Sequence, residues 1–538
     1  MENKTRMRSI VLQTLLLCTV VQTAQRPHIV VIVADDLGWN DVSFHGSDQI
    51  LTPNLDDLAY RGVLLKNYYV SPICTPTRGA LMSGRHPIHT GLQHDVIMGS
   101  EPYGLPLNIT IMPQWLQKLG YRTHMVGKWH LGFFKKEYTP LYRGFETHYG
   151  YYLGCTDYFD HSSEATPEYF GYDFWRNLTV DYTPIGQYST EIFTQEAVNI
   201  INNHNASQPL FLYLPYQAVH SGNLPDGNPL QAPQKYINRF PHIQNQNRRT
   251  YAGMVSALDD GVGTVVDTLK KKGLYDNSII LFTTDNGGPA NGFDGNVANN
   301  FPLRGVKATL WEGGVRGTGF IHSPLLQKQG YVAEQMIHVC DWLPTLYSAA
   351  GGDPNQMADL DGVDLWDMIS SNGKNIRTGM LHNIDPYGPE GALRQGDYKI
   401  IYGKISKAWS GWYPPWQLEE DNNKLYHNTI NSVDTKMKYS FSKNAQEFSM
   451  FSPLKIDCGP IPSNASSNCD PEAKPCLYHI PSDPCEFYNI AEQHPDLVQQ
   501  LMGIMDQYKS TMVPPLNKPQ DPAGNPRNNK GAWVPWIK

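Results

Sequence analysis

At 538 residues the chain exceeds what one ordinary hydrophobic core supports, so two domains are expected. Hydrophobic residues make up 40% and charged residues 17%, a globular balance that excludes a disordered chain. The net charge is −8 and no long block of Lys or Arg occurs, which excludes a nucleic-acid partner held by its phosphate backbone.

The N-terminus carries a compartment signal. Lys4, Arg6 and Arg8 precede an apolar run from Ile10 to Val21, and the small residues Thr23 and Ala24 follow. That layout marks residues 1–24 as a cleaved signal peptide whose core is too short for a membrane span. No later segment reaches the length needed to cross a bilayer. The mature chain is therefore expected in the secretory pathway, lysosomal or extracellular. Beyond the signal peptide four sequons, at Asn108, Asn177, Asn205 and Asn464, fit that compartment.

From residue 25 to about 375, short apolar runs alternate with amphipathic stretches. His28–Ala34, Leu210–Leu214 and Ile279–Thr283 read as buried strands. Tyr251, Met254, Val255, Leu258, Val262, Val265, Val266 and Leu269 fall on one helical face that ends before Gly273. Strand-helix alternation predicts an α/β fold, a large sheet flanked by helices. Sites in such folds form beyond the carboxyl ends of the strands. There the sequence places Asp35-Asp36, Lys128 and His130, His220, and Asp285-Asn286.

After about residue 375 the texture changes. Alternating runs such as Tyr398–Tyr402, with turns and clustered cysteines, predict a smaller C-terminal domain over 376–513 built on an antiparallel sheet. The Pro-, Asn- and Gly-rich residues 514–538 read as an extended tail. Of eight cysteines, Cys18 leaves with the signal and seven remain, an odd number. The close spacing of Cys458 with Cys469, and of Cys476 with Cys485, predicts two local disulfides.

Asp35, Asp36, Asp285 and Asn286 supply hard oxygen ligands without a thiolate or clustered histidines. The set suits Ca²⁺ or Mg²⁺ and argues against zinc. Either acidic pair alone reads equally well as a strand-end turn; together at two strand ends they read as a site.

The segment Cys74-Thr75-Pro76-Thr77-Arg78, continued by Gly84-Arg85 and Thr90-Gly91, resembles the signature of the sulfatase family. Ser83-Gly84 stands where that family usually has Thr-Gly, and the hydroxyl is kept. Ala34–Gly46, Gly127–Gly132, Thr283–Gly288, Pro302–Gly317 and Cys340–Leu346 look like the arylsulfatase B branch in order and spacing. The last third matches less specifically, mainly around Ser482–Glu486.

The resemblance implies an alkaline-phosphatase-like sulfatase fold, and a Cys74 oxidised to formylglycine by a formylglycine-generating enzyme before folding. The hydrated aldehyde bears two hydroxyls on one carbon. One attacks sulfur; proton loss from the other re-forms the carbonyl and expels sulfate, where a serine would stop at a stable ester. The resemblance also selects calcium, held by Asp35, Asp36, Asp285, Asn286 and the modified Cys74. Arg78 would hold the diol, Lys128 the diol and sulfate, and His130 would take the second hydroxyl's proton. His220 and Lys307 would contact sulfate and help protonate the leaving oxygen, and Asp285 would be the base for attack. His94 and His161 are further candidates to face substrate. Cys155 and Cys340, at positions where the vertebrate enzyme has no cysteine, are expected to pair with each other.

The branch implies a 4-sulfated N-acetylgalactosamine end of a glycosaminoglycan, with a small sulfate such as a glucosinolate as the alternative. The loops Tyr149–His161 and Trp409–Trp416 would shape that choice. Two rival readings remain: a phosphomonoester or phosphonate hydrolase of the same superfamily, and a non-catalytic relative. The first would carry more Asp/His ligands, and the second would have lost Cys74, Arg78 or the acidic pairs.

Overall fold

The computed structural model describes residues 25–223, 227–415 and 454–538; the expected signal peptide and Trp416 lie outside them. Every residue of strand β1 (His28–Ala34) is buried, and its alternate side chains enter two different cores. Ile29, Val31 and Val33 face one and Val30, Ile32 and Ala34 the other. A strand buried on both faces shows a continuous apolar run, which is why it is visible in the sequence.

The other strands of the large sheet are β2 (Val63–Tyr69), β3 (Arg122–Lys128), β4 (Thr147–Tyr151), β7 (Trp175–Arg176), β8 (Thr179–Val180), β9 (Leu210–Pro215), β10 (Ser278–Thr284), β11 (Gly319–His322) and β12 (Tyr331–His338). A separate hairpin joins β5 (Ser162–Thr166) to β6 (Tyr169–Tyr172). The spatial order is β12-β2-β11-β10-β1-β9-β3-β4-β7-β8. The five central strands, β10 through β4, are parallel, while β11 and β7 run antiparallel to them. One face is covered by the helices Pro53–Arg61, Ser189–Asn203 and Gln246–Lys272, the last carrying the predicted apolar stripe and closed by Gly273 at φ 71°. The other face is covered by Cys74–Ser83, Met112–Lys118 and Trp342–Ala349.

A second sheet of four antiparallel strands follows: β13 (Gly379–Asp385), β14 (Glu390–Gln395), β15 (Tyr398–Gly403) and β16 (Cys476–His479). Met380, Ala392, Ile401 and Tyr478 pack on Tyr69, Trp311 and Met336 of the large layer. The opposite face receives Leu501 and Met505 of the helix Pro495–Thr511. The expected α/β architecture, a large sheet with helices and a small antiparallel sheet, is the one present.

The disulfide expectations are corrected. The bonds are Cys458–Cys485 and Cys469–Cys476, not Cys458–Cys469 and Cys476–Cys485. Cys476 on β16 faces the core that contains Cys469, whereas Cys485 lies in a separate cluster with Cys458. Cys155 and Cys340 are both unpaired. Cys340 follows β12 and lies 2.9 Å from His338 Nδ1, and six strands separate β12 from the β4 strand that Cys155 follows. No helix among the described residues is long and apolar enough to cross a membrane.

Candidate active site

Parallel, in-register pairing of β1 with β10 sets Ala34 beside Thr284. The residues that leave these strands, Asp35-Asp36 and Asp285-Asn286, therefore emerge side by side. β9 and β3 run parallel alongside, and deliver His220 and Lys128–His130 to the same edge. Cys74 opens the helix Cys74–Ser83 above them, with Sγ 3.8 Å from Asp35 Oδ1. Five stretches far apart in the chain thus meet where a parallel sheet places its site.

Arg78, one turn after Cys74, donates from Nε and Nη2 to Asp285 Oδ2 at 3.1 and 2.7 Å and lies 3.4 Å from Asp35 Oδ2. Lys128 donates to Asp35 Oδ2 at 2.6 Å. Lys307 donates to Asp36 Oδ2 at 2.9 Å and to His220 Nε2 at 3.1 Å. Asn286 donates to Asp36 Oδ1 at 2.7 Å. Three carboxylates thus face three cations, all of them buried. Buried charges persist when paired and hydrogen-bonded in this way.

The pairing sets the protonation states. Burial pushes the Asp35 carboxyl up, but Lys128, His220 and Arg78 together hold it below the usual range. Asp285 ends above the usual range, raised by burial and by the neighbouring Asp35 against the pull of Arg78. Burial drives the Cys74 thiol well up, which keeps an unmodified Cys74 protonated and a poor nucleophile. His130 is pushed well down by burial, Lys128 and Arg78, so its imidazole is neutral. Its Nε2–H donates to the Ile97 carbonyl at 3.0 Å, and its buried Nδ1 has no hydrogen-bond partner. Asp36 and His130 hold left-handed φ values of 58° and 55°, a strain that clusters at functional sites.

The donor set fits a hard divalent cation. Asp35, Asp36, Cys74 and His220 bring ligand atoms within 4.8 Å of one another. His220 Nε2 already accepts from Lys307, which leaves oxygens in the majority. Asn286 Oδ1 is buried and has no hydrogen-bond partner, an oxygen that a cation would satisfy.

A cavity of about 1040 Å³ opens onto this cluster, lined by Cys74, His130, His220 and Lys307 and also by Asp95, Cys155, Glu164, Phe170, Phe293 and Arg527. The structure brings Asp35, Asp36, Cys74, Arg78, Lys128, His130, His220, Asp285, Asn286 and Lys307 together at this edge. His94 and His161 do not line the cavity: His94 pairs with Asp385 at 2.7 Å, and His161 is buried against Pro184 and Ser189. Sequence reasoning missed Asp294, whose carboxylate lies 3.4 Å from Lys307 Nζ, and the Ile97 carbonyl that orients His130. A backbone carbonyl leaves no trace in a sequence, and Asp294 sits in a glycine-rich turn that reads as a loop.

Comparison with known proteins gives this constellation its family. Residues 27–352 match the sulfatase family model. The chain is 41% identical to arylsulfatase J of Mus musculus over 534 residues, 95% of this chain and 81% of that protein. It is 30% identical to the N-acetylgalactosamine-6-sulfatase of Homo sapiens, over 63% of this chain and 65% of that protein. Among solved structures, Ps i-CgsB in complex with k-i-k-neocarrahexaose superposes with a TM-score of 0.70 at 28% identity, covering 94% of this chain and 98% of that one. The chain belongs to the sulfatase family, hydrolases of sulfuric esters.

Proposed function

We propose that this sulfatase acts through a formylglycine made from Cys74 and a calcium ion held by Asp35, Asp36, Asp285, Asn286 and residue 74, on a sulfated N-acetylgalactosamine at the end of a glycan. The observation that carries the reading is the position of Cys74, at a helix start 3.8 Å from an aspartate of a buried oxygen cluster whose Asn286 Oδ1 lacks a partner. The hydrated aldehyde would supply a nucleophilic hydroxyl and a second hydroxyl that expels sulfate, and calcium would supply positive charge for the anionic ester.

The chain's own side chains supply the remainder. Arg78 fixes Asp285 through two hydrogen bonds to one oxygen, and Lys128 fixes Asp35, whose Oδ1 lies 3.8 Å from Cys74 Sγ. His130 is neutral, with Nε2–H committed to Ile97, and Nδ1 is the nitrogen left to take a proton. His220 Nδ1 lies 2.7 Å from the Ser221 carbonyl and donates to it, so Nε2 accepts from Lys307. Lys307 is the acid of this pair, positioned to contact sulfate and to help protonate the leaving oxygen. The substrate class is supported by a relative named N-acetylgalactosamine-6-sulfatase and by the similar structure of Ps i-CgsB, solved in complex with a neocarrahexaose. The arylsulfatase B-like segments favour the 4-sulfate. Maturation by a formylglycine-generating enzyme and passage to the lysosome or cell exterior follow from the same reading.

The test is mass spectrometry of the Cys74 peptide from protein purified from its own source, with 4- and 6-sulfated N-acetylgalactosamine and an aryl sulfate assayed in parallel. An aldehyde at residue 74 and an inactive Cys74→Ala variant are expected. Sulfate release by a chain that keeps the thiol would sink the reading.

A further inference from the structure

We propose that the C-terminal segment forms the outer wall of the substrate cavity and that Arg527 on it binds an acidic group of the saccharide residue next to the sulfated sugar. The proposal rests on the sulfatase reading of the inner site and extends it outward.

The segment is built into the molecule. Trp533 is fully buried; its Nε1–H donates to the Ser163 carbonyl at 3.0 Å and its backbone N–H to the Tyr172 carbonyl at 2.9 Å. Tyr172 N–H in turn donates to the Gly531 carbonyl at 2.8 Å. Asn525 Nδ2 donates to the Glu168 carbonyl at 3.1 Å, and Asn525 Oδ1 accepts the Arg527 N–H at 3.0 Å. Pro526 packs so closely on Gly171 that a Cβ there would lie 2.4 Å from the proline Cβ. The β5–β6 hairpin and the C-terminal segment are therefore one wall, and the backbone at Arg527 is fixed before any ligand arrives.

That wall faces a cavity of about 1040 Å³, just above the ~300–1,000 Å³ that encloses a drug-sized ligand, so it has room beyond one sulfated ring. The basic side chains of the lining divide into two groups. Lys307 and His220 are bound to one another and to Asp36 at the deep end. Arg527 also lines the cavity, is exposed, and its guanidinium has no ion-pair partner among the described residues. Glu164 and Asp95 also line the cavity and form no ion pair with it. A free guanidinium on a preorganised wall, unpaired with the charge cluster, is the group that reads a carboxylate or a second sulfate in bidentate fashion.

The experiment measures binding rather than turnover. Titration calorimetry of the full chain carrying Cys74→Ala, with a sulfated, uronate-containing hexasaccharide and its carboxyl-reduced counterpart, isolates the contact. Adding Arg527→Gln is expected to weaken the acidic hexasaccharide about tenfold and the carboxyl-reduced one less than threefold. Arg527→Lys, which keeps the charge, is expected to recover most of the loss. Equal weakening of both ligands, no weakening, or no binding with Arg527 intact would overturn the proposal. A failure of the inner-site reading shows separately, as absence of aryl sulfate turnover by the enzyme that carries Cys74.

Discussion

Arg78 Nη2 donates to Asp285 Oδ2 at 2.7 Å, with both side chains wholly out of solvent, at the centre of the charge cluster. Removing one partner of a buried pair leaves the other uncompensated and costs about 3–5 kcal/mol. Arg78→Ala is therefore expected to lower stability by that order as well as abolish sulfatase activity. Arg78→Lys keeps the charge but loses the two-donor geometry, and should be intermediate in stability. Urea denaturation decides; an unchanged midpoint in Arg78→Ala would show that the pair is not structural.

The same balance predicts how the chain answers metal removal. Because Arg78, Lys128 and Lys307 already face Asp35, Asp36 and Asp285, the fold does not depend on a cation to neutralise its carboxylates. EGTA should lower the melting temperature without unfolding the chain at 25 °C. Calcium at ~100 times its dissociation constant should restore about 2.7 kcal/mol. Asn286→Leu, which deletes the partnerless oxygen, should shrink the calcium-dependent shift. A melting temperature indifferent to EGTA and calcium would refute the proposed cation site.

Non-reducing peptide mapping should recover Cys458 joined to Cys485, Cys469 joined to Cys476, and alkylatable thiols at Cys155 and Cys340. The first bridge spans 27 residues and the second 7. On the chain-entropy account these restrict the unfolded chain by roughly 3.5 and roughly 2.4 kcal/mol. Replacing Cys458 and Cys485 together by Ser should therefore lower the urea midpoint more than replacing Cys469 and Cys476. The reverse order would place the stabilisation in the folded state instead.

What the sequence revealed and what it hid divide along a physical line. The strands β1, β9 and β10 were legible because burial on both faces leaves an unbroken apolar run. Asp35-Asp36 and Asp285-Asn286 were legible because a polar pair directly after such a run has few other uses. Their partners were not. That Arg78 binds Asp285, 207 residues away, depends on how the Cys74 helix lies over the sheet. The cysteines misled because proximity in sequence was taken for proximity in space, while strand β16 turns Cys476 to one core and leaves Cys485 in another. The C-terminal segment read as an unremarkable tail because its anchor, the Trp533 indole on Ser163, closes a separation of 370 residues.

The small sheet supplies a prediction about pH. The carboxyl of Glu390 on β14 is pushed up to about 8, first by burial and then by the neighbouring Asp385. A group raised in this way favours the folded chain in its protonated form. Its contribution is complete below the ordinary glutamate range near pH 4.5, and is lost as pH rises through about 8. The wild-type chain should accordingly lose stability between pH 5 and pH 8 relative to a variant with a neutral group at this position. Glu390→Gln supplies that variant at nearly the same volume. Its melting temperature should exceed the wild type's at pH 8, and the two should converge towards pH 5. Parallel curves across that range would show that Glu390 is ionised in the folded chain throughout.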